Sequence, residues 1–61
     1  MDPKERLRIL SDIGAAIEGD DIAGEDILST EVVTEYGDNT LLVRTDTKIY
    51  RLSVTLHSVL T

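Results

Sequence analysis

Sixty-one residues, 12 acidic and 6 basic for a net charge of −6, supply one domain and leave no length for a second core or a substrate-enclosing cleft. Hydrophobic residues make up 41% of the chain, enough to fold, and the net charge has the wrong sign for phosphate backbones, so direct nucleic-acid binding is not expected. Without cysteine there is no disulfide and no thiolate metal site, and a single histidine excludes paired-imidazole zinc sites, so neither metal nor other cofactor is expected and folding rests on packing alone. No apolar run exceeds three residues and Met1 leads into charge, which points to a cytoplasmic protein with no membrane partner.

Asp2-Pro3-Lys4-Glu5 combines an N-cap acceptor, a first-turn proline and a glutamate that can reach back, so a helix is predicted from Pro3. At 100° per residue, Leu7, Ile9, Leu10, Ile13, Gly14, Ala16 and Ile17 share one half of its wheel, and Gly19 is placed to stop it. Arg6 interrupts the apolar half. Its stem can pack on a sheet with the guanidinium at the rim, or the group can pair with a sheet carboxylate or a partner's acid.

Residues 18–26 hold five carboxylates and two glycines, which predicts an irregular connection with one helical turn near Ile22 to Leu28. From Ser29 the residue types become β-branched and aromatic, and three strands are predicted at 29–36, 40–46 and 48–60, with turns at Gly37-Asp38-Asn39 and Asp46-Thr47. Closing the first hairpin on Asp38-Asn39 aligns Tyr36 with Leu41 and Leu52, and Thr34 with Val43 and Tyr50. One face is then apolar, with Tyr36 and Tyr50 buried on it. The reverse carries Val33, Glu35, Leu42, Arg44, Ile49, Arg51, Ser53, Thr55 and His57. The predicted fold is a single α+β domain over residues 1–61, one N-terminal helix packed on a three-stranded antiparallel meander in two layers (αβββ).

The third strand outruns its neighbour. Residues 52–61 contain no charged residue, proline or glycine, so nothing blunts the edge from Val54 to Leu60. Such a stretch is an aggregation hazard unless covered, and a small core gains from association, so a homodimer is expected through Val54, Leu56, His57, Ser58 and Leu60. His57 would then be an interface residue whose protonation weakens assembly.

Charge is segregated along the chain. Between Arg8 and Arg44 lie 35 residues without a lysine or arginine and with nine carboxylates. Asp12, Glu18, Asp20, Asp21, Glu25, Asp26 and Asp38 are expected to form an acidic surface that favours a protein partner with a basic surface. The EF-hand ligand spacing is absent from the loop, so calcium is not expected there. His57, Ser53 and Glu35 are too scattered for a triad, and no phosphate-cradling loop is present, so the chain reads as non-enzymatic. The expectation is a regulatory or accessory binding module. The alternatives are an inhibitor that mimics nucleic acid, such as a viral antagonist of a host defence, and a small-ligand binder at a subunit boundary.

Overall fold

The computed structural model describes residues 1–60; Thr61 lies outside the described residues. Helix α1 runs over Pro3–Ile17, capped by the Asp2 carboxylate, which accepts from the Lys4 N–H at 2.9 Å. It stops as expected, with Glu18 as C-cap followed by Gly19 at φ +86°. Strands β1 (Asp21–Ile22) and β2 (Glu25–Asp26) form a minimal hairpin, and β3 (Ser29–Glu35), β4 (Asp38–Arg44) and β5 (Ile49–Leu52) form an antiparallel sheet in the order β3-β4-β5. The helix rests chiefly on β3 and β4, giving the expected α+β arrangement.

The core is small: Leu10 from the helix, Ile27 from the connection, and Leu41 and Val43 from central β4, flanked by half-buried Ile13, Ile17, Ile22, Val32, Tyr50, Leu52 and Val54. Leu7 and Ala16, counted on the apolar half of the wheel, are exposed, because the helix buries a narrower stripe through Leu10 and Gly14. Arg6 takes the pairing alternative. Its guanidinium bonds the Asp38 carboxylate at the start of β4, and Asn39 Nδ2 donates to the Pro3 carbonyl at 3.4 Å, so the first helical turn is tied to that strand end.

The second hairpin keeps the expected register, Leu41 opposite Leu52 and Val43 opposite Tyr50. The first does not. It turns on Tyr36-Gly37, with both φ angles positive (53° and 76°), and sets Val32 opposite Leu41 and Thr30 opposite Val43. A two-residue turn of this kind matches strand twist and needs the left-handed region at both positions, which glycine adopts freely and tyrosine does not. Because the turn centre moved by two residues, facing is preserved and the same face stays apolar. Tyr36, however, leaves the buried face and is 90% exposed. The helical turn expected near Ile22 to Leu28 is absent; β1 and β2 replace it, turning on Ala23-Gly24 at φ 51° and 80°.

Thr40 shows what the reverse face of the sheet covers. Arg51 stands opposite Leu42 and Glu35 opposite Asp38, so their 3.3 Å ion pair crosses the intervening β4 position, Thr40, which is buried with its Oγ1 unpartnered. Burying a hydroxyl without a partner costs on the order of 1–3 kcal/mol. The near-isosteric Thr40→Val is therefore expected to stabilise the fold by about 1 kcal/mol, raising Tm by roughly 4–8 °C for a domain of this size. Thermal denaturation of the two proteins checks this, and an unchanged or lower Tm would refute it.

Candidate interaction surfaces

The strand expected over 48–60 is hydrogen-bonded only over Ile49–Leu52. Beyond Leu52 the chain leaves β4, although Asp38–Thr40 of that strand continue and pair with β3 on their other side. Alternation survives one step further, with Val54 still packed on the core. Past it, Leu56 is 54%, Val59 72% and Leu60 94% exposed, and His57 and Ser58 are exposed as well, their Nδ1 and Oγ 3.3 Å apart. Five residues marked by the sequence thus occupy one segment, four of them facing solvent. The Cα radius of gyration, 12.4 Å, exceeds the roughly 10.5 Å of a compact chain this long.

The seven marked carboxylates divide into two groups. Asp38 is held by Arg6 and Glu25 by Lys48, so both belong to the scaffold. Asp12, Glu18, Asp20, Asp21 and Asp26 have no basic partner among the described residues: Asp12 lies on α1, Glu18 is its C-cap, and Asp20, Asp21 and Asp26 stand together at the β1–β2 hairpin. No family model, curated protein or solved structure matches this chain. The site is therefore read from its own chemistry. The last turn of α1 has no basic residue to offset the negative end of the helix dipole, which adds to these five charges. Asp21 and Asp26 face each other across β1 and β2. The hydrogen bond and charge of Asp26, with Asp20 nearby, push the Asp21 carboxyl above its usual range.

Glu25 does the opposite work. Its Oε1 accepts from the Thr45 and Thr47 hydroxyls, each at 2.6 Å, and its Oε2 from Lys48 Nζ at 2.6 Å, so one carboxylate fastens the β1–β2 hairpin to the β4–β5 turn. Lys48 and the two threonines pull the Glu25 pKa down to about 2, and Glu25 in turn raises that of Lys48. A carboxyl with a lowered pKa contributes stability that is complete above its ordinary value of 4.5 and is lost as pH falls through about 2. Glu25→Gln is accordingly expected to lower Tm at pH 7, with the gap to the unsubstituted protein closing toward pH 2. A gap constant across a pH series would contradict the assignment.

The remaining features are spent within the fold. A depression of about 250 Å³ is lined by Arg44, Thr45, Asp46, Thr47, Lys48 and Ile49, the β4–β5 turn and the strand ends beside it. It falls below the range of ordinary ligand pockets, and Thr45, Thr47 and Lys48 are already engaged by Glu25. On the reverse face the Arg51 guanidinium lies 5.3 Å from the centroid of the Tyr36 ring while it pairs with Glu35. Sequence reading placed Tyr36 in the core and missed this stack; the signal available was Gly37, which fits the second turn position better than Asp38 or Asn39 fits the first. No described helix is long and apolar enough to cross a membrane.

Proposed function

We propose that this is a non-enzymatic accessory protein of the cytoplasm that acts by binding other macromolecules, joining a polypeptide strand along residues 53–60 and presenting its carboxylate pole to a basic protein surface. The observation that carries the reading is the charge-free segment beyond Leu52, in which Leu56, Val59 and Leu60 are each more than half exposed. Exposed apolar, unblunted strands are what partners pair with. The pole supplies long-range attraction that speeds encounter with a cationic surface and is weakened by salt.

Size exclusion of the chain in native lysate tests this. It is expected to elute well above its 6.7 kDa mass, and Leu56→Lys to return it to that mass. Elution of the unsubstituted chain as a free 6.7 kDa species would overturn the reading. The combined variant Asp12→Asn, Glu18→Gln, Asp20→Asn should remove the salt-labile part of any complex while leaving the fold intact, since all three residues are exposed.

A further inference from the structure

We propose that the strand filling this edge belongs to a second copy of the chain, antiparallel about a two-fold axis at Leu56, so that two three-stranded sheets become one six-stranded sheet with both helices on the same face. This rests on the reading of residues 53–60 as a protein-binding edge, and it names the occupant.

Charge argues for self-pairing here. A two-fold interface brings each patch against its own copy, so on a chain of net charge −6 most patches would set carboxylate against carboxylate. Residues 52–60 carry no charged side chain and incur no such repulsion.

Hydrogen-bond parity then fixes the facing. Thr45 N–H donates to the Lys48 carbonyl, closing the β4–β5 turn with a bonded pair. Bonded and non-bonded pairs alternate along an antiparallel ladder, so Tyr50 and Leu52 spend their backbone groups on Val43 and Leu41. The odd-numbered Ile49 and Arg51 turn theirs to the open side; in the proposed dimer residues 53–60 prolong this strand, and Ser53, Thr55, His57 and Val59 do the same. A second copy must match odd with odd, hence even with even. Leu52, Val54, Leu56 and Leu60 of both copies then share the face on which the helices sit.

Among the registers this parity allows, an axis at Leu56 sets Leu56 against its own copy and Leu60 against half-buried Leu52, with Thr55 opposite His57 on the reverse face. Moving the axis to His57 opposes two imidazoles and leaves Leu56 facing Ser58. Moving it to Thr55 sets Arg51, already held by Glu35 and Tyr36, against Val59. The area is also of the right size. The accessible surface is 4637 Å², against about 3,900 Å² for a compact 6.7 kDa protein. The excess, roughly 700 Å² over the whole chain, includes the exposed Leu56, Val59 and Leu60, and a standard interface takes ~800 Å² from each partner.

Sedimentation of the purified chain at micromolar concentration should give twice its 6.7 kDa mass. Leu56→Lys and Leu56→Glu should each sediment as monomers with unchanged circular dichroism, and their mixture should recover the dimer through the opposite charges at the axis. The chain has no cysteine, so Leu56→Cys introduces a lone thiol. A non-bonded pair brings Cα atoms to ~4.5 Å, within disulfide reach, so mild oxidation should link two copies of Leu56→Cys but not of Thr55→Cys or His57→Cys. Linkage at 55 or 57 in place of 56 would overturn the register. A purified chain that stays monomeric while the lysate form runs large would overturn the second copy and leave the binding edge standing. Monomer in both settings would overturn both.

Discussion

Leu10→Ala is expected to leave the chain largely unfolded at 25 °C and neutral pH. Leu10 is 1% exposed and is the one apolar side chain that α1 buries fully, set among Ile27, Leu41 and Val43. Removing its isopropyl group costs on the order of 2–5 kcal/mol through lost transfer energy and the cavity left behind. A core of this size rarely supplies more than about 3–5 kcal/mol in all, so the loss is comparable to the whole. Far-UV circular dichroism and a thermal scan read the result. A cooperative transition within a few degrees of the unsubstituted protein would show that the helix is held by something other than Leu10.

Gly14→Val is expected to destabilise the fold by roughly 1–3 kcal/mol, for overpacking where the helix comes closest to the sheet. A Cβ at Gly14 would lie 2.9 Å from Thr30 Oγ1 and 3.1 Å from Leu41 Cδ1, and the branches of valine would reach further still. Gly14→Ala balances two effects, since alanine gains about 1 kcal/mol in helix propensity but meets the threonine hydroxyl. If that hydroxyl is the obstacle, Gly14→Ala should be more favourable in a Thr30→Ala background than alone. Urea midpoints for the four proteins of this cycle give the coupling, and strict additivity would mean that the helix shifts to absorb the methyl.

The cap at Asp2, the stop at Gly19 and the alternation from Thr30 to Leu52 were legible because each is local: a side chain's reach or a two-residue period decides it. Both unread turns, Ala23-Gly24 and Tyr36-Gly37, place a residue with no liking for the left-handed region beside a glycine, while the more turn-prone Asp38 and Asn39 sit in β4. There, pairing of Asp38 with Arg6 and the bond from Asn39 to Pro3 override local preference. The site divides along the same line. The uncharged C-terminal segment is a property of composition and could be read directly. That Glu25 and Asp38 serve the scaffold depends on Lys48 and Arg6, 23 and 32 residues away, and no local pattern reports such distances.

Among the described residues, all strand pairs join sequence neighbours through two-residue turns, and only the helix must return across the chain to dock. Loop-closure entropy is correspondingly slight, so the chain should fold rapidly, in a first-order step, from nuclei around its hairpins. The proposed joining of two such units would be second order. On the proposed dimer, the tail is therefore unshielded at the low concentrations of early synthesis, and the repulsion between chains of net charge −6 is what opposes aggregation in that interval.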